Sequence, residues 1–219
     1  MLTVSAAAVA FGQPRAERGY TTAVSERLIE VYSRRFGPEA RARLEAWQRD
    51  VAERKRSPAH QAAHEAALLS DVNRMLNRVP FVDDSAHWRE ADYWATPAES
   101  IGSNGADCED FSIAKYFLLK ELGVPIARLR LTYVKSLRLN QPHMVLAYYA
   151  RPDAEPLVLD NINKSIRPAS TRTDLVPVYS FNGSGLWLAK DQTGRGQSVG
   201  GSDRIGHWKD VQSRLRAAM

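Results

Sequence analysis

The sequence predicts an α+β fold, with helices first and an antiparallel sheet after them, on three observations. Apolar residues recur at helical spacing from about Thr21 to Val79. A second stripe from Asp107 to Leu122 is apolar around much of its circumference, as in a buried helix. From Ala127 onward the period falls to two, the signature of strands.

The first helical region divides into three. Leu28, Val31 and Tyr32 lead to Gly37, and Pro38 suits the first position of a second helix carrying Leu44, Trp47 and Val51. Ser57 and Pro58 form another cap-and-start pair, ahead of Leu68, Leu69, Val72, Leu76 and Val79, and Pro80 ends the run. Residues 80–106 read as a long irregular connection, the kind that is functional or disordered. Gly102, Asn104 and Gly105 then admit the buried helix, with Phe111, Ala114, Leu118 and Leu122 along one face, and Gly123 and Pro125 close it. Strands follow at 127–134, 143–149, 157–159, 176–181 and 186–188, read as a meander. A Gly-, Ser- and Gln-rich stretch at 190–202 precedes a short terminal helix from Asp203 to Ala217.

The expected organisation is one domain over residues 21–219, with a helical part at 21–125, a sheet part at 126–189 and a tail with helix at 190–219. Residues 1–20 are a flexible terminus or the remnant of an export signal. Ala8-Val9-Ala10 has the style of a signal-peptidase site, but a basic n-region is missing. No run is long enough for a transmembrane helix.

Composition sets limits. Hydrophobic residues make up 44% and charged residues 25%, which describes a globular protein rather than a disordered or collagen-like one. The net charge of +5 is spread among 25 acidic and 30 basic residues, and the longest basic cluster is Arg54-Lys55-Arg56. That argues against nucleic acid as a partner, which calls for a denser basic stripe. The single cysteine, Cys108, excludes an internal disulfide. It is either a small buried hydrophobe or a thiol nucleophile, and composition does not choose.

The local sequence says more. In Asn104-Gly105-Ala106-Asp107-Cys108-Glu109-Asp110-Phe111, Asp107 is placed to cap the buried helix, with Asp110 in a capping-box-like position. Cys108 is then the first helical residue, where the dipole and free N–H groups favour a thiolate. The same N–H groups can donate to an oxyanion. Asp107, Glu109 and Asp110 oppose the thiolate by like charge, so a catalytic reading needs a hard cation to neutralise them. A thiolate also needs a base and an orienter. His60 and His64, one helical turn apart in a polar stretch, suit a solvated face rather than a two-His metal site. His87 and His207 have no evident partner. His143 opens an apolar strand and Asp160 ends the next. If the two strands pair antiparallel about a turn near Asp153, the two residues lie at the same end of the hairpin. The alternative is a lone core histidine beside a turn aspartate.

A resemblance carries the reading further. Asp92-Tyr93-Trp94-Ala95-Thr96-Pro97, Ala106 to Phe111, Ala114-Lys115-Tyr116-Phe117, Glu121-Leu122-Gly123-Val124-Pro125 and Leu129 to Lys135, in that order, are similar to the bacterial transglutaminase-like cysteine proteinases. Gln141 to Tyr149, Pro156 to Asn161 and Pro177 to Asn182 continue the match. The resemblance implies a papain-like fold, with Cys108 as nucleophile, His143 as general base and acid, and Asp160 as orienter. It implies Ca²⁺ as cofactor, bound by Asp107 and Glu109, with Asp110 beside them. Because Ca²⁺ takes several oxygen ligands in irregular geometry, loop carbonyls from Ser103 to Ala106 are candidate further ligands. It also implies a periplasmic enzyme that cuts a large cell-surface adhesin near its N-terminus at a pair of alanines, releasing biofilm. An inner-membrane receptor for cyclic di-GMP is the expected inhibitory partner. Tyr93 or Trp94 is a candidate for the oxyanion hole. Pro142 departs from the small residue expected before the base. Two other readings remain: thiol acyl transfer to an amine on the same residues, and a non-catalytic calcium-binding module.

Overall fold

The computed structural model describes residues 22, 24–57, 65–189, 191 and 196–217. Helix α1 (Glu26–Phe36) starts at Ser25, whose hydroxyl accepts from the Leu28 N–H. Gly37 (φ 88°) makes the turn that only glycine takes without strain, and Pro38 opens α2 (Pro38–Arg56). Leu44, Trp47 and Val51 of α2 face inward, as their spacing requires. Ser57 ends α2, and α3 (Glu65–Leu76) buries Leu68, Leu69, Val72 and Leu76. The expected helix start at Pro58, like His60 and His64, lies outside the described residues.

The connection expected to be irregular holds two short helices, α4 (Asp84–His87) and α5 (Pro97–Ser103). The second has a full capping box: Thr96 Oγ1 accepts from the Glu99 N–H, and Glu99 accepts from the Thr96 N–H at 2.8 Å. The Thr96-Pro97-Ala98-Glu99 signal was present in the sequence, masked by the surrounding aromatic and acidic residues. Helix α6 (Cys108–Glu121) is buried at every position from Glu109 to Leu119. It packs on β2 and β1, with α3 and α5 on its flanks.

The sheet comprises β1 (Leu129–Ser136), β2 (Gln141–Tyr148), β3 (Leu157–Leu159), β4 (Arg167–Pro168), β5 (Leu175–Asn182), β6 (Gly185–Ala189) and β7 (Gly196–Gly200). Its order is β4-β3-β2-β1-β5-β6-β7, with every neighbouring pair antiparallel. The expected single meander is therefore two runs that share β1. After β4 the chain returns beneath the sheet, where Ala169 and Leu175 cover Val134, Val145 and Val158 on the face away from α6. Strand β7 was expected as part of a polar tail, because Gly196 to Gly200 carries no alternating apolar pattern. At the edge of a sheet, backbone pairing alone suffices. Helix α7 (Gly206–Ala217) docks through the fully buried Trp208, whose ring packs on Tyr116, Phe117 and Phe181. No described helix is long and apolar enough to cross a membrane.

Candidate active site

Cys108 is the first residue of α6, half-buried on the floor of an open cleft of about 1110 Å³. The turn leading to it has strict backbone needs. Asn104 caps α5 in the left-handed conformation (φ 59°), and Gly105 follows with the His87 ring packed where a Cβ would stand, 2.5 Å from its Cε1. Ala106 then bridges to Phe81, with the Val82 N–H donating to the Ala106 carbonyl at 3.0 Å. That bridge lays the 81–92 segment alongside the helix start. It also engages the Ala106 carbonyl, one of the oxygens expected as a metal ligand.

His143 lies in β2 and Asp160 just beyond β3, and the register Leu146↔Leu159 brings them to one end of the hairpin. His143 Nε2 is 2.9 Å from Asp160 Oδ1, and both side chains are buried. Nδ1 of the ring has no hydrogen-bond partner among the described residues and is free to face a thiol. Pro142 is exposed and pairs with Lys135 at the mouth of β2, so the strand register runs through it undisturbed to the histidine. The nucleophile candidate is tied to the same strand. Ser112 Oγ reaches the Cys108 carbonyl at 2.9 Å and the Met144 carbonyl at 3.1 Å, and the Met144 N–H approaches the Cys108 sulfur. The structure thus brings Cys108, His143 and Asp160 to one place, with Cys108 and His143 lining the same cleft.

Asp160 is held on both oxygens. Burial opposes its charge, but the His143 hydrogen bond, the Ile162 N–H at 3.0 Å and the Arg172 guanidinium at 2.8 Å hold the carboxyl well below the usual carboxylate range. Arg172 also pairs with Asp174 at 2.8 Å. The loop after Asp160 is anchored to α3, since Asn77 Nδ2 donates to the Asp160 carbonyl at 2.9 Å and Asn73 Nδ2 to that of Lys164 at 2.8 Å.

The thiol is in the opposite situation. Burial foremost, then the charge and hydrogen bond of Glu109 and the charge of Asp107, push it well above its ordinary value, against only the Met144 N–H. Cys108 Sγ donates to Glu109 Oε2 at 3.0 Å. Burial and the acidic neighbours together therefore oppose the thiolate that a helix start favours. Asp107 flanks α6 without a side-chain cap, and the Asp110 carboxyl accepts from the Ala95 N–H at 2.6 Å with the Asp107 N–H also directed at it. Burial, with Glu109, Asp110 and Asp84 adding charge, pushes Asp107 up to about 10. Carboxylate oxygens of Asp84, Asp107 and Asp110 converge within 4.8 Å of one another, as do those of Asp84, Asp92 and Glu109. One buried oxygen on each of Asp84, Asp107 and Asp110 lacks any hydrogen-bond partner. Orphaned, mutually repelling oxygens in that arrangement fit a hard divalent cation. Sequence reasoning found Asp107 and Glu109 but missed Asp84 and Asp92. They lie far upstream and arrive only through the Phe81–Ala106 bridge.

Neither aromatic candidate for the oxyanion hole has a free donor. The Tyr93 hydroxyl donates to Glu99 and receives from Arg214, and Trp94 Nε1 donates to Asp92 at 2.9 Å. Trp94 does line the cleft, stacked between Phe181 and His207.

A lone cysteine at a buried helix start, facing a hairpin that brings a histidine and an aspartate together, has the architecture of a papain-like thiol enzyme. Residues 45–193 match the family model of the bacterial transglutaminase-like cysteine proteinases, and the chain belongs to that family. Among solved structures, calcium-bound Legionella pneumophila LapG is 41% identical, with a TM-score of 0.69, over 85% of this chain and 97% of that one. The EGTA-treated form of the same protein is 40% identical, with the same TM-score and coverage. No curated protein matches the chain.

Proposed function

We propose that this cysteine proteinase is a calcium-dependent endopeptidase of the periplasm that cuts a large cell-surface adhesin near its N-terminus, at an Ala-Ala bond. The observation that supports the triad is the convergence of Cys108 with the His143–Asp160 pair in one cleft. Cys108 Sγ attacks the scissile carbonyl carbon while its proton passes to His143 Nδ1. The free N–H groups of the first turn of α6 receive the oxyanion. His143 then gives the proton to the departing amine, leaving a thioester. Water, deprotonated by His143, adds to the thioester, and the thiol departs with that proton. Asp160 holds the imidazole by Nε2 throughout, so that Nδ1 keeps facing the sulfur.

Asp84, Asp107, Glu109 and Asp110, with Asp92 beside them, are the residues that would hold Ca²⁺. Bound there, the ion supplies positive charge that offsets the field now opposing the thiolate. The solved relatives include a calcium-bound and an EGTA-treated LapG, in line with this reading. The adhesin, the periplasmic setting and an inhibitory inner-membrane receptor for cyclic di-GMP are carried by the family resemblance.

The test is incubation of the chain and Ca²⁺ with the N-terminal region of the large adhesin of the same bacterium. Wild type should give one shortened product, and Cys108→Ala and His143→Ala none. An intact adhesin with wild type would refute the substrate. Cleavage by folded His143→Ala would refute the triad. Incorporation of a labelled amine in place of shortening would make the reaction acyl transfer.

A further inference from the structure

The cleft does not end at the triad. Beyond His143 it opens into a second hollow of about 570 Å³, and both share Leu139, His143 and Ile162 as lining. The two ends differ in charge. On the Cys108 side the walls carry Asp83, Asp84, Asp92 and Asp107. On the far side of His143 they carry Arg138, Lys164 and Arg172 beside two carboxylates, Asp160 and Asp174. Arg172 is committed to Asp160 and Asp174. Arg138 and Lys164 are exposed, and among the described residues no carboxylate lies within ion-pair reach of either.

Both cations stand on anchored backbone. The turn bearing Arg138 is held by the Leu137 N–H on the Asp174 carbonyl at 2.8 Å and by the Leu139 N–H on Ser136 Oγ at 3.3 Å. The loop bearing Lys164 is held by Asn73 at its carbonyl. Around them stand three large apolar side chains, Leu137, Leu139 and Ile162, exposed by 53%, 41% and 41%. Among the described residues, Lys164 Nζ donates only to the Asn77 carbonyl, at 3.4 Å. A hollow that joins a catalytic histidine to exposed apolar groups and cations without carboxylate partners has the makings of a binding site rather than of ordinary solvated surface.

The chemistry fixes which part of a substrate lies there. His143 must protonate the departing amine, so the chain that leaves with that amine passes over His143 and into this hollow. We propose that the hollow is a specificity site for the segment following the cleaved bond, and that Arg138 and Lys164 select an Asp or Glu there, with Leu139 and Ile162 receiving an apolar neighbour. This rests on the proteolytic reading above and adds a charge rule to it. Exposed charge pairs contribute about 0.2–1 kcal/mol, so each acidic residue should raise kcat/KM about threefold, and less as salt rises.

The experiment profiles cleavage of a bacterial-proteome peptide library by the Ca²⁺-loaded protein, reading product termini by mass spectrometry. Asp and Glu should be enriched in the first few positions after the cleaved bond. Arg138→Glu with Lys164→Glu should invert the preference toward Lys and Arg. Arg138→Glu alone, on an exposed turn, should weaken it and covers the case in which the double variant misfolds. Cleavage with no charge preference, or with the same preference in the variants, overturns the charge rule and leaves the protease standing. No cleavage at all by wild type overturns the protease reading and this one with it.

Discussion

Arg172 grips the Asp160 carboxylate by Oδ2 at 2.8 Å, the oxygen that His143 leaves unused, and both side chains are almost shut off from water. Breaking such a pair from one side leaves a buried, uncompensated charge, at a cost of about 3–5 kcal/mol. Arg172→Met should therefore destabilise by about that much at pH 7. Asp160 is held low in the folded state, so its contribution is present above the ordinary carboxylate pKa and is lost as pH falls below about 4. The gap between wild type and variant should narrow over that acid range. Urea unfolding at a series of pH values measures it, and a gap that does not depend on pH would show that Arg172 acts through packing alone.

Ser112 joins the turn of Cys108 to the strand of His143, since its hydroxyl lies within reach of the carbonyls of both Cys108 and Met144. Ser112→Ala should lose only about 1 kcal/mol of stability, the worth of an ordinary hydrogen bond. If the contact aligns sulfur and imidazole, kcat should fall about tenfold or more while KM changes little. Steady-state kinetics beside a thermal melt separates the two. A loss confined to stability would make Ser112 a packing residue.

How much of this was readable in the sequence depends on the range over which each feature is encoded. Leu157–Leu159 was placed to the residue, and the His143–Asp160 encounter followed from counting equal distances to a turn, because a hairpin is a local object. Cys108 at a helix start followed from Asn104, Gly105 and the stripe behind them. What stayed hidden is tertiary. Asp84 and Asp92 reach the acidic cluster through one backbone bridge, and Arg172 reaches Asp160 only because the chain doubles back beneath the sheet after β4. Neither leaves a mark in local spacing. Asp107 stands at the cap position as its spacing predicts, but its side chain makes no capping bond, and Asp110 is drawn to the Ala95 N–H, a partner that local spacing does not reveal.

Lys115 lies on α6 beneath the site, fully buried, with no hydrogen-bond partner for Nζ among the described residues. Burial pushes it down to about 7, with the charge of Lys164 helping and that of Asp160 resisting. Its unfolded pKa is near 10.4, so the folded chain must shed a proton that the unfolded chain keeps, and stability should rise with pH between about 7 and 10. Lys115→Met removes that burden, which is on the order of 4 kcal/mol below pH 7. The variant should therefore be more stable than wild type at pH 6, with the advantage shrinking toward pH 10. Denaturant midpoints at pH 6, 8 and 10 test it, and a destabilised variant at pH 6 would mean that the amine has a partner after all.

The calcium reading predicts changes that can be seen without any substrate. Asp84, Asp107 and Asp110 crowd unpartnered oxygens together, so a bound Ca²⁺ should stabilise the native state by mass action and raise the thermal midpoint. EGTA should lower that midpoint, and Mg²⁺ should restore it poorly, because it demands tighter octahedral geometry. The thiol should respond in parallel. Cys108 is held far from ionisation by burial and by Glu109 and Asp107, so iodoacetamide should alkylate it slowly after EGTA treatment and at least tenfold faster with Ca²⁺. Asp84→Ala is the informative variant, since Asp84 lies outside α6 and has no part in capping it. If Asp84→Ala keeps both the Ca²⁺-dependent melting shift and the alkylation response, the ion is not held where these carboxylates meet.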